Sequence, residues 1–211
     1  MNKQALQLHQ LALHLGQTPL LALNTRVEPG EIATVMGPSG SGKSTLLAAI
    51  AGFLAPDFRL AGEIYLGKTR IDTLAPELRG VGLMFQDPLL FPHLSIAQNL
   101  VFAMPANTTD KLAKASEALN QLGLAGYEHR DPETLSGGQK TRVALQRLLL
   151  SKPQAVLLDE PFSSLDTALR QEIRNLVFDT LTRAQLPTIL LTHDEADAEA
   201  ANGQVTMLSG I

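Results

Sequence analysis

The chain has 211 residues, of which 45% are hydrophobic, 17 are basic and 21 are acidic, giving a formal net charge of -4. This length and composition predict a compact folded domain with an elaboration, and the charge excludes a whole-chain electrostatic attraction to nucleic acid phosphates. The absence of cysteine excludes disulfides and thiolate metal sites.

The first ten residues lack the apolar core of a secretory signal, so we do not expect export. Apolar runs such as those at residues 155–158 and 189–191 fall far short of the roughly 20 residues that a membrane-spanning helix needs. We therefore expect any membrane role to act through a partner.

The first predicted elements are edge strands, because apolar and polar residues alternate with a period near two. The apolar positions of this pattern are Leu6, Leu8, Leu11, Leu13 and Leu15. A short β-branched run at residues 31–36 then enters a glycine-rich turn, and residues 44–54 carry apolar side chains at helical spacing. The order strand, loop and helix is the setting that a phosphate-binding loop requires.

Residues 87–135 show loops and helical spacing with no convincing strand, which predicts an inserted helical subdomain. Two apolar strands follow, at residues 155–158 and 188–192, separated by a helix over residues 167–184, and a last strand lies near residues 204–208. Strands that alternate with helices predict a mainly parallel sheet flanked by helices, with N-terminal antiparallel β elements. We therefore divide the chain into a nucleotide-binding core at 1–86, a helical subdomain at 87–135 and the remainder of the core at 136–211.

Residues 37–45 match the phosphate-loop pattern of glycine, four residues, glycine, lysine and serine. Glycines allow successive amides to converge on phosphates at the positive end of a helix, while Lys43 reaches the β and γ oxygens and Ser44 holds Mg²⁺. A glycine-rich turn that only caps a helix would explain neither the lysine nor the hydroxyl. The predicted nucleotide-binding residues are Gly37, Pro38, Ser39, Gly40, Ser41, Gly42, Lys43, Ser44 and Thr45.

Asp159 and Glu160 stand side by side at the end of a predicted buried strand. Because an unpaired buried charge is costly without a cation, Asp159 suits magnesium and Glu160 suits the polarisation of an attacking water. An apolar strand that ends in Asp-Glu is often structural when it stands alone, and its pairing with the phosphate loop favours function.

The sequence Leu-Ser-Gly-Gly-Gln at residues 135–139 resembles the signature sequence of ABC ATPases. Ser136, Gly137, Gly138 and Gln139 open a predicted helix and form a second anion site, although a helix cap without a ligand is the alternative. In the family, the signature of one subunit closes over ATP held by the phosphate loop of another, so the resemblance implies an ATP-hydrolysing subunit that forms a homodimer around two ATP molecules.

The same resemblance assigns further residues. Gln86 looks like the glutamine that contacts Mg²⁺ and water, residues 163–166 look like the loop that crosses the dimer interface, and His193 looks like the switch histidine at the γ-phosphate. The implied catalytic set is Glu160, His193, Lys43 and Gln86, and the implied magnesium ligands are Ser44, Gln86 and Asp159.

One departure from the family concerns adenine, which usually stacks on an aromatic residue where this chain has Leu15. Apolar contact by Leu15 is still expected, without the additional energy of aromatic pairing. A second departure follows the signature, where this chain reads Lys140-Thr141-Arg142 and retains only the arginine of the usual Gln-Arg pair.

The resemblance also implies partners. The apolar stretch at residues 88–99 looks like the importer segment that receives a helix of an integral membrane permease, so we expect the permease to dock on the helical subdomain. Import is favoured, with a periplasmic or extracellular solute-binding protein in the same system and no nucleic acid partner. We expect the chain to be a peripheral protein on the cytoplasmic face of the inner membrane, attached there by the permease.

Two rival functions stay open at this point. A soluble ABC ATPase acting on nucleic acid or the ribosome usually carries tandem cassettes or long insertions, and a phosphate-loop kinase would leave the signature unexplained. The remaining histidines form no spaced metal set and are expected at the surface or in packing; they are His9, His14, His93 and His129.

Overall fold

A computed structural model describes residues 4–38 and 40–208. The strands are β1 (Leu6–Leu15), β2 (Thr18–Val27), β3 (Ile32–Met36), β4 (Phe58–Leu66), β5 (Thr69–Arg70), β6 (Val81–Phe85), β7 (Ala155–Asp159), β8 (Thr188–Thr192) and β9 (Val205–Met207). The α-helices are α1 (Lys43–Ala51), α2 (Ile96–Ala103), α3 (Lys111–Gln121), α4 (Gly137–Leu150), α5 (Thr167–Arg183) and α6 (Glu195–Ala201).

The chain forms two compact units. The first contains the described residues up to Leu83, the segment Gln154–Glu160 and the described residues from Phe178 onward, and the second contains Met84–Pro153 and Pro161–Val177. Among the described residues, no helix is both long enough and apolar enough to cross a membrane.

The first unit contains an antiparallel sheet in the order β2-β1-β4-β5. The predicted N-terminal β structure is confirmed, but β1 lies between β2 and β4 and is not an edge strand as expected, because it pairs on both sides with strands that include β4, which was not predicted. Its apolar pattern is interrupted at Gly62, which adopts φ +90° opposite a bulge in β1, where a Cβ atom would lie 2.4 Å from the carbonyl oxygen of Gln10. Only glycine tolerates both the backbone conformation and this close approach.

A second sheet has the order β6-β7-β8-β3-β9, in which β3 pairs in parallel with β8 and β9, and β7 pairs in parallel with β8. Every residue of β3 and β8 is buried, as expected for strands covered on both faces. Because the strands run in one direction, the chain leaves β3, β7 and β8 at the same edge, and this edge carries the candidate site. The predicted fold class, a mainly parallel α/β sheet with N-terminal antiparallel strands, is confirmed.

Helix α1 is shorter than predicted. It ends at Ala51 and not at residue 54, because Gly52 adopts the left-handed conformation with φ 96° and its amide donates to the carbonyl of Ala48. A left-handed glycine directly after the last helical residue is the usual way in which a helix stops.

The second unit is helical, and no strand occurs between residues 87 and 135, as predicted. Its core contains Ile96 and Leu100 from α2, Leu119 from α3 and Val143 from α4, all of which are fully buried. The compact unit therefore extends beyond the boundary that we expected at residue 135, because α4 packs into the same apolar core as the predicted insert.

Candidate nucleotide site

The phosphate loop leaves β3 and enters α1. Gly40 and Gly42 adopt left-handed conformations with φ of 84° and 88°, and no side chain caps the start of α1. The first N–H groups of an α-helix have no partner within the helix, so a phosphate placed here would receive amide hydrogen bonds at the positive end of the helix dipole. Ser39, which the pattern also assigns to this loop, lies outside the described residues.

Lys43 is buried, with 7% of its surface exposed. Its ammonium donates hydrogen bonds to the carbonyl oxygens of Gly37, at 2.7 Å, and Pro38, at 2.9 Å. A lysine ammonium has three N–H donors, so the loop fixes its position with two and one donor remains to reach a phosphate oxygen.

A cavity of about 230 Å³ lies against the loop. It is lined by Gly40, Gly42, Lys43, Ser44, Thr45 and Glu160. Amides, an ammonium and hydroxyls are the groups that bind phosphate oxygens, and one carboxylate stands at the same cavity. The side chain of Ser41 is buried beneath the loop and is not part of this lining.

Glu160 follows β7 with φ 45°, a conformation that is rare for a residue with a side chain. Strained backbone of this kind persists where the surrounding structure enforces it and is concentrated at active sites. One carboxylate oxygen, Oε1, lies 3.1 Å from Nδ1 of His193 and 4.0 Å from Nζ of Lys43. The loop, the end of β7 and the end of β8 thus meet at Glu160.

Asp159 is partly buried beside this group. Burial, and then the neighbouring Glu160 charge, raise the pKa of the Asp159 carboxyl, against an opposing effect of Lys43. Two adjacent carboxylates with one ammonium favour a further positive charge. The oxygen atoms of Asp159 and Ser44 are the ligand type that Mg²⁺ prefers, so the residues present fit this ion.

His193 is more than half exposed, and two residues that the sequence analysis did not single out fix the turn that carries it. The hydroxyl of Thr192 accepts from the amide of Asp194 and donates to the buried carboxylate of Asp197 at 3.3 Å. Asp197 lies four residues after His193, in the first turn of α6. An acidic residue at this position is usually explained by its favourable interaction with the helix dipole, so the sequence did not indicate a buried role.

Leu15 lies at the end of β1 and is 46% exposed. A different leucine, Leu21 of β2, contacts the loop, since a Cβ atom at Gly42 would lie 3.0 Å from its Cδ2 atom. The adenine contact predicted for Leu15 remains a prediction.

The second unit contains the signature residues. Ser136 caps α4 by accepting from the amide of Gln139, and the Gln139 side chain accepts in return from the amide of Ser136. The helix-cap role, which the sequence analysis kept as an alternative for these residues, is therefore present. The Ser136 hydroxyl accepts in this cap and still has its own O–H to donate. Ser136 and Gly137 are both exposed.

Gly138 is buried against α5. A Cβ atom at this position would lie 2.8 Å from Cδ2 of Leu169, and one at Gly137 would lie 3.3 Å from Cδ2 of Leu165. The glycines of the signature thus permit close packing within the second unit.

Gln86 is exposed and lies in the second unit with residues 163–166. The Ser164 hydroxyl donates to the Gln86 carbonyl oxygen at 3.4 Å, and Asp166 accepts from the amide of Leu169 at the start of α5. Of the predicted site residues, the structure brings together Lys43, Ser44, Thr45, Asp159, Glu160 and His193 in the first unit, and Gln86, Ser136, Gly137, Gly138 and Gln139 belong to the second.

An exposed aromatic patch, which we define as Leu89, Phe91, His93 and Phe102, is also part of the second unit. The rings of Phe91 and Phe102 stand edge to face with centroids 4.9 Å apart, and His93 lies 5.8 Å from Phe91. Phe102 is 68% exposed. Clustered exposed apolar side chains commonly mark a protein interaction site.

The sequence of the chain matches the family described as "ABC transporter" over residues 20–163. It is 45% identical over 200 residues to the uncharacterized ABC transporter ATP-binding protein YnjD of Escherichia coli (strain K12), covering 93% of this chain and 92% of the relative.

Two further relatives have names that mention import. The thiamine import ATP-binding protein ThiQ of Chelativorans sp. (strain BNC1) is 43% identical over 187 residues, covering 86% of this chain and 74% of the relative. The Fe(3+) ions import ATP-binding protein FbpC 3 of Rhodococcus jostii (strain RHA1) is 41% identical over 198 residues, covering 92% of this chain but only 56% of the relative. The chain thus spans little more than half the length of this iron-import relative.

Proposed function

This chain belongs to the ABC transporter family, and on that premise we propose that it hydrolyses ATP to drive solute import through a separate membrane permease. The observation that carries the proposal is the convergence of Lys43, His193 and the Glu160 carboxylate at the phosphate loop. The family prediction made from the signature is confirmed, and ATP binding and hydrolysis are the activities of such subunits.

The proposed chemistry places the triphosphate on the uncapped amides of α1 and on Lys43. Glu160 polarises the water that attacks the γ-phosphate, and His193 holds the Glu160 carboxylate in its orientation. Ser44 and Asp159 are the residues of the first unit that would hold Mg²⁺, which would supply positive charge to offset the charge of the triphosphate.

The proposed active form is a homodimer that shares two ATP molecules. The phosphate loop of one protomer grips each triphosphate, and the exposed Ser136 hydroxyl with the start of α4 of the other protomer covers the γ-phosphate. Support comes from Ser136, which caps α4 and still has an O–H to donate, since a helix start that presents a hydroxyl and amides attracts anions. Hydrolysis removes the phosphate that both protomers contact and releases them.

The aromatic patch supports a docking surface for the permease on the second unit. Phe102 presents exposed ring surface beside the partly buried ring of Phe91, which suits the apolar face of a short helix from a membrane protein. Such a partner would hold the chain at the cytoplasmic face of the membrane. The thiamine and iron relatives carry import in their names, which favours import and a solute-binding protein in the same system.

The activity is tested by phosphate release from Mg-ATP with three proteins. Wild type should hydrolyse ATP, and Glu160→Gln should bind ATP but hydrolyse it at least about 100-fold more slowly. Glu117→Gln, on the exposed face of α3, should match wild type. Unchanged turnover in Glu160→Gln would remove Glu160 from its role.

The transport role is tested by purifying the tagged chain from solubilised membranes. The proposal predicts that a polytopic membrane protein co-purifies with it. Recovery of nucleic acid or ribosomes in place of a membrane protein would contradict the transport role.

A further inference from the structure

The main chain of the segment that follows Gln86 is held in place by side-chain hydrogen bonds and not by the hydrogen bonds of a strand or a helix. Residues 86–95 contain no helical or strand hydrogen-bond pattern, yet they present Leu89, Phe91 and His93 of the aromatic patch. Asn99, which is fully buried in α2, fixes the later part: its Oδ1 atom accepts from the Phe91 amide at 2.8 Å, and its Nδ2 atom donates to the carbonyls of Phe91 and Leu94.

The earlier part of the segment is fixed by Arg147 of α4. One guanidinium nitrogen donates to the Leu89 carbonyl at 2.8 Å and another donates to the Pro88 carbonyl at 2.9 Å. The guanidinium also lies 5.5 Å from the centre of the Phe91 ring. Within the described part of the chain Arg147 makes no ion pair, so its charge is directed at this segment.

Leu89, whose carbonyl accepts from Arg147, has an unfavourable backbone conformation. It has φ 47°, a left-handed conformation that disfavours a side chain, and roughly half of its surface is exposed. The Leu89 amide donates to the Asp87 carboxylate at 3.2 Å, and Arg147 supports the Leu89 carbonyl. Because the two Arg147 bonds go to backbone carbonyls, they fix the main chain of the patch and not one particular side chain.

The other end of α4 is the signature. The helix runs without interruption from Gly137 to Leu150 and is capped by Ser136, so Ser136 and Arg147 belong to one continuous helix. A displacement of the helix start on a phosphate must therefore move the guanidinium that holds Pro88 and Leu89.

We propose that Arg147 is a positioning residue that transmits nucleotide contact at Ser136 to the main chain of the aromatic patch. This inference rests on the proposed function, because it requires the signature to contact ATP. It assigns a task to an arginine that the proposed chemistry does not use.

The test measures hydrogen exchange, by mass spectrometry, in Glu160→Gln protein with and without saturating Mg-ATP. Backbone exchange reports local opening of the segment itself. Arg147→Gln and Arg147→Lys are compared with Arg142→Gln, which removes a guanidinium from the same helix but one that pairs with Glu172. The lysine variant keeps the charge without the planar fork that reaches two carbonyls, so it remains informative if the glutamine variant does not fold.

We expect Mg-ATP to change exchange in residues 86–94 of the reference protein and of Arg142→Gln. Both Arg147 variants should lose this change while ATP still protects their phosphate-loop peptides as in the reference. An ATP-dependent change that persists in the Arg147 variants would overturn the inference, as would an Arg147 variant that loses phosphate-loop protection as well, since that result indicates a general structural role.

The reference protein separates the two hypotheses. Phosphate-loop protection without any change in residues 86–94 overturns the role of Arg147 and leaves the proposed function intact. Absence of phosphate-loop protection in the reference contradicts the proposed function itself.

Discussion

The Glu160 carboxylate lies 3.1 Å from the His193 imidazole, although the two residues follow different strands, β7 and β8. Because β7 and β8 are parallel neighbours, the residues after them meet at one edge of the sheet. The proposed mechanism gives His193 the task of holding Glu160 in the orientation that polarises the attacking water.

We therefore predict that His193→Ala lowers kcat by about 100-fold or more with a much smaller effect on KM, because the contact orients a catalytic group and does not grip the nucleotide. Steady-state phosphate release measures both constants. His129→Ala, at an exposed position of the second unit, is the matched control. Equal loss in kcat and in ATP affinity would instead indicate that His193 mainly binds nucleotide.

The packing of the signature helix leads to a second prediction. A Cβ atom at Gly138 would lie 2.8 Å from Leu169, so Gly138→Ala should weaken ATP-dependent dimerisation by displacing the start of α4. Leu169→Ala removes the obstructing methyl groups, and the double variant should dimerise better than Gly138→Ala alone. Sedimentation in Mg-ATP on a Glu160→Gln background provides the comparison. Additive defects in the double variant would show that the two positions do not interact in this way.

A third prediction concerns the aromatic patch. Phe102 is exposed and stacks edge to face on Phe91, so Phe102→Ala should reduce co-purification of the permease while the ATPase activity of the isolated chain stays unchanged. Leu112→Ala removes an exposed apolar side chain of α3 outside the patch and is the control. Equal permease recovery with both variants would place the docking surface elsewhere.

The phosphate loop and its flanking elements were predictable from the sequence because their order is local. A β-branched run, a glycine-rich turn and helical spacing occur within a short stretch, and β3 and α1 lie where this pattern placed them. The last turn of α1 was predicted incorrectly because the apolar spacing continues to Leu54, whereas Gly52 ends the helix by its backbone conformation.

The parts that sequence could not supply depend on contacts between distant segments. Strand β4 forms because it pairs with β1, with Gly62 opposite the bulge in β1, and this tertiary contact cannot be predicted from the residues of β4 alone. The support of the His193 turn by Asp197 was missed for a similar reason. A carboxylate in the first turn of a helix is usually exposed, whereas that of Asp197 is buried and accepts a hydrogen bond from the Thr192 hydroxyl.

The most direct test of the shared nucleotide mixes two variants on a Glu160→Gln background. Lys43→Ala disables the phosphate loop, and Ser136→Asp retains a good helix cap while placing a negative charge against the γ-phosphate. If one protomer supplies Lys43 and the other supplies Ser136, only the mixed dimer has an intact site, because its Ser136→Asp protomer contributes the normal lysine and its Lys43→Ala protomer contributes the normal serine.

Native mass spectrometry in Mg-ATP should then show a heterodimer holding ATP, although neither variant pairs by itself. Failure of the mixture to form this heterodimer, when the Glu160→Gln parent also remains monomeric in saturating Mg-ATP, would contradict the account.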